Sequence, residues 1–181
     1  MFATGTTTAE AKTGYGLQAA AELRMLQGLL ALDKEGPLEL AFTFLGAHAV
    51  APEYKDRPQE YTDHLCAVML PMLKDWWSSN APFRLLSFVA VFCEQGVFHL
   101  EQSRQILATA RDLGFPLKIH ADAFVRIGCS SRAAEMGAVS ADHLVTTSPE
   151  DIIALAQSNT VAVGLPCTPF GLAEPHYTPA R

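Results

Sequence analysis

The chain has 181 residues, 49% of them hydrophobic and only 18% charged, so it can bury one sizeable core and is not disordered as a whole. A net charge of −6 and the lack of any Lys/Arg-rich run argue against a nucleic-acid phosphate backbone as partner. Glu39, Arg84 and Glu94 interrupt the richest apolar segments, which predicts no membrane span, and the opening residues MFATGTTTAEAKTGYG lack the basic and apolar regions of a signal peptide.

The predicted elements alternate along the chain. GTTTAEAK (5–12) reads as a strand. Leu17, Ala20, Leu23, Leu26, Leu29 and Leu30 then recur at helical spacing. KEGP (34–37) ends that helix: Gly36 predicts a left-handed C-terminal residue, and Pro37 blocks continuation. LELAFTFLGAHAV (38–50) is a second strand, followed by a helix marked by Leu65, Val68, Met69, Met72 and Leu73. RLLSFVAVFCE (84–94) is a third, followed by a helix marked by Ile106, Leu107, Ala110 and Leu113, which LGFP (113–116) closes. LKIHAD (117–122) is a fourth strand, and Ala133, Ala134 and Met136 indicate a short helix. ADHLV (141–145) is a fifth. SPED (148–151) then offers Ser148 as N-cap, Pro149 at the first helical position and acids in the first turn. TVAVGLP (160–166) is the sixth.

Buried, non-alternating strands separated by helices imply a parallel α/β sheet. No GxGxxG or Walker sequence follows a strand, which disfavours a nucleotide-binding doubly wound sheet. Polar residues instead gather at strand ends: Lys12, Tyr15, His48, Glu94, His120, Asp122, Asp142 and His143. That distribution fits a barrel, whose functional groups come from the C-terminal ends of several strands. About six strands are predicted, where a complete barrel has eight and typically ~250 residues. The expectation is an incomplete (β/α)8 TIM-type barrel, one partial domain over 1–181, with sequence missing at both ends.

Cys66, Cys93, Cys129 and Cys167 form no CxxC pair and are irregularly spaced. They predict free thiols in a reducing cytoplasm, with neither a disulfide scaffold nor a zinc knuckle. Of the six histidines, His64 reads as a surface group on a helix, His99 as a structural residue ahead of a helix, and His176 lies in a tail that assigns it no role. His48 ends an apolar strand two residues after Gly46, and reads equally as a satisfied rim histidine or a functional one. His120 with Asp122, and His143 after Asp142, sit at neighbouring strand ends. Neutral imidazole is the commonest metal ligand and a tunable proton carrier, but no spacing here matches HExxH or a closed zinc site.

Taken together, EAKTGYGL, FLGAHAVAPEY, VFCEQGVF, KIHADAF, GAVSADHL and LPCTPFGLAE resemble imidazolonepropionase, a histidine-degradation enzyme of the metal-dependent amidohydrolase superfamily. The likeness covers nearly the whole chain in the family's order, and GAVSADHL and GAHAV are its most specific parts. It implies a distorted barrel with one zinc or iron ion. In the family, an HxH pair after the first strand, a histidine from the fifth and an aspartate from the eighth hold that ion. His120 matches the fifth-strand histidine. No HxH occurs here and the chain stops before the aspartate, so this chain alone is expected not to retain the ion. Tyr15 and His48 match positions that contact the substrate's ring or carboxylate. His143 matches the sixth-strand histidine that orients the substrate and the attacked carbonyl, which makes it the implied catalytic residue.

The implied reaction is hydrolysis of the cyclic amide of 4-imidazolone-5-propanoate to N-formimino-L-glutamate in the cytoplasm, by hydroxide from a water that the ion makes acidic. The implied partner is this small molecule, with neither nucleic acid nor membrane, and the resemblance allows a homodimer of the complete enzyme. The chain departs from the family at four positions. Ala123 replaces an acid or amide three residues after the metal histidine, which lowers expected turnover by roughly 10²–10⁴-fold. Ala90 stands where VDVFCE has Asp, and Cys129 and Cys167 replace usual glycines, adding a Cβ where unusual backbone angles are expected. Two alternatives remain: a noncatalytic remnant, or another cyclic-amide hydrolase or deaminase of the superfamily.

Overall fold

The computed structural model describes residues 1–179. Strands β1 (Thr8–Lys12), β2 (Glu39–Ala47), β3 (Phe88–Cys93), β4 (Leu117–Ala121), β5 (Ser140–His143) and β6 (Val161–Gly164) form one sheet in sequence order. Every neighbouring pair is parallel. Helices α1 (Ala19–Glu35), α2 (Pro58–His64), α3 (Leu70–Asn80), α4 (Leu100–Asp112), α5 (Cys129–Met136), α6 (Pro149–Ala156) and α7 (Cys167–Gly171) alternate with the strands. The sheet curls into a half-barrel, an incomplete α/β TIM-type barrel. No helix of the described residues is long and apolar enough to cross a membrane.

Side chains alternate between the two faces of each strand. Val89, Val91 and Cys93 of β3 and Leu117, Ile119 and Ala121 of β4 are buried against Leu26, Leu70, Leu73, Trp77, Ile106 and Leu107 of the helices. Each Val, Leu or Ile among them contributes about 1.5–3 kcal/mol when fully buried. The intervening residues, among them Lys118 and His120, face the concave side. There Lys118 Nζ of β4 lies 3.1 Å from Glu10 Oε2 of β1. Those strands are three spacings apart, roughly 14 Å along the sheet, so the contact requires the curvature. Lys12 Nζ lies 2.5 Å from the same oxygen. Burial alone would raise the Glu10 carboxyl, but hydrogen bonds from Lys12 and Thr43, the Lys12 charge and Lys118 hold it down at about 2.

Three local expectations meet a different geometry. Gly36 is extended, at φ −92 and ψ 167, not left-handed. Its N–H donates to the Leu32 carbonyl at 2.7 Å, and the following Pro37 favours an extended residue before it. A Cβ there would stand 2.7 Å from Leu32 O, which is why glycine suits the position. The helix predicted around 65–73 is interrupted by a π-helical turn at Leu65–Met69. Pro71 has no N–H to give the preceding turn, and a widened turn just before it absorbs that loss. Cys93 and Cys129 are joined as a disulfide, with Cα atoms 6.0 Å apart, so the expectation of four free thiols is corrected: Cys66 and Cys167 are free. The fold places the end of β3 against the start of α5 at a separation suited to a disulfide, which the sequence spacing conceals. The predicted cap of α6 is present: the Ser148 hydroxyl accepts the Asp151 N–H at 3.3 Å.

Candidate functional site

An open cavity of ≈ 500 Å³ lies at the C-terminal ends of the strands. Its lining includes Lys12, Tyr15, His48, Phe92, His120, Ala123, Phe124, Asp142 and His143.

Buried carboxylates shape the loops around it. Glu22 of α1 has no exposed surface. Its oxygens accept N–H groups from Gly14 at 2.9 Å and from Gly16 and Leu17 at 2.8 Å, which fixes the turn that presents Tyr15. Gly14 is left-handed at φ +117, and a Cβ there would meet Leu45 O at 2.9 Å and His48 Cβ at 3.1 Å. Glu94, just past β3, accepts N–H groups from Ala123, Phe124 and Val125 at 2.9–3.1 Å. Asp122 accepts the N–H groups of Ile127 at 3.1 Å and Ser130 at 3.0 Å, with a longer bond from Cys129. Each carboxylate thereby replaces solvent for several loop amides, and such charge-assisted bonds are strong. Sequence reasoning noticed Glu94 and Asp122 as polar strand-end residues but not as loop clamps, and it missed Glu22. A lone acid on an otherwise apolar helical face is the signal that could have found it.

Five rings cross the cavity, one from each of five consecutive strand ends: Tyr15, His48, Phe92, His120 and His143. Neighbouring ring centroids are 5.1, 6.1, 6.3 and 5.2 Å apart in that order. His48 Nδ1–H donates to the Gly14 carbonyl at 3.0 Å, which leaves its Nε2 as an acceptor in the neutral ring. His143 Nε2 is 3.1 Å from His120 Nδ1, and Asp142 Oδ2 is 3.9 Å from that same Nδ1. Burial, then the neighbouring His143, Lys12 and His48, push the His120 pKa down to about 3. Burial also lowers His143. Both rings are therefore neutral at pH 7. His120 Nε2 and His143 Nδ1 are buried without a hydrogen-bond partner among the described residues.

Either ring can donate in this contact, and the Asp142 carboxylate beside His120 Nδ1 favours one of the two neutral tautomer pairs. With protons on Nδ1 of both rings, His120 donates to His143 Nε2, and the His120 Nε2 lone pair is left bare. A histidine with one nitrogen engaged and the other bare is oriented as metal-ligating histidines are.

Several curated sequences similar to the whole chain are named imidazolonepropionase. The chain is 45% identical over 181 residues to the imidazolonepropionase of Herpetosiphon aurantiacus, 49% over 183 residues to that of Chloroflexus aggregans, and 44% over 181 residues to that of Alkaliphilus oremlandii. Each alignment takes in 100% of this chain. The chain belongs to the imidazolonepropionase family. It spans 41–43% of the length of these curated relatives. No protein-family model matches it.

The positions that resemble imidazolonepropionase site residues share this one cavity: Tyr15, His48, His120 and His143 all line it. Asp122 does not. It is fully buried, left-handed at φ 48, and occupied with loop amides. Phe92, central in the row of rings, was not singled out by sequence because an aromatic residue in an apolar strand reads as core. A metal ion fits these residues in part. The bare Nε2 of His120 supplies one ligand, but the described residues hold no group of three His, Cys, Asp or Glu able to bind an ion.

The departures from the family take definite places. Ala123 is on the cavity wall, 7% exposed. Ala90 is buried one pleat below Phe92, in register with Lys118. Neither Cys129 nor Cys167 has positive φ, which corrects the expected backbone conflict: both open helices. His99 precedes α4, where its N–H donates to Gln102 Oε1 at 3.0 Å. His64 stacks on Tyr54 with ring centroids 5.9 Å apart, and His176 is exposed in the C-terminal coil.

Proposed function

We propose that residues 1–181 are one partial imidazolonepropionase domain whose cavity serves the hydrolysis of 4-imidazolone-5-propanoate to N-formimino-L-glutamate in cytoplasmic histidine breakdown. The observation that carries this reading is the row of five rings. A flat, polar heterocycle calls for aromatic walls with a few convergent polar atoms, and the row offers both. Tyr15 and His48 contact the substrate's ring or carboxylate, with the His48 tautomer held by Gly14. His143 orients the substrate and polarises the carbonyl carbon that water attacks. The water oxygen bonds to the carbonyl carbon, which becomes the new carboxylate as the ring C–N bond of the amide breaks, and the released nitrogen takes up a proton and stays on the product as the terminal NH of its formimino group.

His120 is the residue that would hold a zinc or iron ion through Nε2, alongside ligands outside the described residues. When bound, such an ion lowers the pKa of a water toward neutrality and so supplies the nucleophile. Ala123 carries no proton, so this chain has no shuttle at that position. Sequence relatives of the same name support the substrate class, and the complete enzyme is proposed as a homodimer.

The test is a ring-opening assay on the purified product of the full reading frame with zinc or ferrous iron added. Loss of the imidazolone chromophore with formation of N-formimino-L-glutamate is expected. Opening of dihydropyrimidines with imidazolonepropionate left intact would assign the cavity to another cyclic-amide hydrolase. The flanking coding sequence is expected to encode an HxH pair upstream and an aspartate-bearing strand downstream.

A further inference from the structure

We propose that Cys93 and Cys129 are a redox modification site that fastens one wall of the cavity. This does not depend on which reaction the cavity hosts. Cys93 is the last residue of β3 and Cys129 the first of α5, and the bond between them spans 36 residues of sequence. Neither side chain has exposed surface.

The segment between β4 and α5 is the one that places Ala123 and Phe124 against the cavity. Its near half hangs from the end of β3, because Glu94 takes the amides of Ala123, Phe124 and Val125. Its far half is tied to its own start, where Asp122 takes the amides of Ile127, Cys129 and Ser130, and to α6, where Arg126 and Ser131 bond Asp151, but none of these ties reaches β3. The disulfide joins that far half to β3, one residue before Glu94. The cross-link and Glu94 therefore secure opposite ends of one loop to the end of β3. In the reduced protein a weaker tie remains, since Cys129 Sγ is 3.2 Å from the Cys93 carbonyl, close enough for an S–H donor. Reduction loosens the wall without dismantling the fold.

The chemistry balances with a low-molecular-weight disulfide as oxidant. One cysteine thiolate attacks the oxidant, forms a mixed disulfide and expels one thiolate. The second cysteine thiolate then attacks the protein-side sulfur of that mixed disulfide and expels the other. The two cysteines lose two electrons and two protons, which leave on two small-molecule thiols. A dithiol reverses the sequence. Because both sulfurs are buried, each direction waits on local opening of the loop.

The test begins with alkylation of the denatured protein after equilibration with glutathione disulfide. At most two of the four cysteines, Cys66 and Cys167, are expected to label, and all four after dithiothreitol. Hydrogen exchange of the native protein is then compared before and after dithiothreitol. Exchange across 122–130 is expected to rise by on the order of tenfold or more on reduction, with α1 and α3 unchanged. Cys129→Ser should exchange as the reduced protein does and ignore dithiothreitol. If that variant does not fold, the chemically reduced native protein still decides the matter. Labelling of all four cysteines without reductant overturns the proposal. So does unchanged exchange at 122–130, or a rise spread equally over α1 and α3.

Discussion

His143 reaches His120 by breaking the alternation of its own strand. The register of β5 with β4 sets His143 opposite Ala121, a residue of the helix-facing core, yet His143 Nε2 is 3.1 Å from His120 Nδ1. A left-handed backbone at His143, φ 78, turns the ring toward the cavity. That conformation costs a non-glycine residue about 1–3 kcal/mol, and the next residue, Leu144, is also left-handed at φ 57.

His143→Gly and His143→Val therefore separate backbone from side chain. Glycine accepts the angle, so His143→Gly should lie within about 1 kcal/mol of the parent. Valine resists it, and His143→Val should lose about 2 kcal/mol or more. Urea midpoints at neutral pH measure both. Equal losses would mean that the angle stores no strain.

Gly14→Ala should destabilise the chain by at least about 1 kcal/mol. Alanine disfavours φ +117, and its Cβ would press on Leu45 O and His48 Cβ. The His48 Nδ1–H bond to Gly14 O should weaken with it, read as an upfield shift of that ring proton by NMR. A fully native melting curve for Gly14→Ala would rule out close packing of this turn.

Acid should act through Asp151. Burial would raise its carboxyl, but hydrogen bonds from Arg126, Ser131 and Ser148 hold it down at about 2. A depressed folded-state pKa contributes stability above the unfolded value near 3.8, and that contribution is lost as pH falls toward 2. It amounts to about 2 kcal/mol at neutral pH. Asp151→Asn should be less stable than the parent at pH 6 by roughly that amount, and the gap should shrink below pH 4 and be mostly gone at pH 2. A gap that persists at low pH would contradict the linkage.

Dialysed protein should hold well under one zinc or iron per chain, because His120 offers a single bare nitrogen and the described residues lack a three-ligand group. Elemental analysis after dialysis without chelator measures this. One tightly held ion per chain would mean that other residues complete a site.

Much of the fold was legible because its signals are local. Buried strand runs such as 88–93 and 117–121 fit a parallel sheet, and SPED encodes its cap within four residues of sequence. What escaped depends on distance through space. The Cys93–Cys129 bond has no motif, since it follows from strand order placing β3 beside β4. Glu22 became a loop clamp only when α1 folded back over the turn at Gly14. His143 was legible as a strand-end histidine and took its role from the family resemblance, but the twist that brings it to His120 has no mark in the letters ADHLV. Gly36 misled because glycine before proline serves an extended chain as readily as a left-handed one.

The contact between Glu10 and Lys118 is a chord across the arc of the sheet, and a chord of fixed length sets a radius. This polypeptide therefore dictates how wide its bowl stands, through two oppositely charged side chains at the floor. Anything that completed the ring would have to match a breadth chosen in advance by the segment already folded.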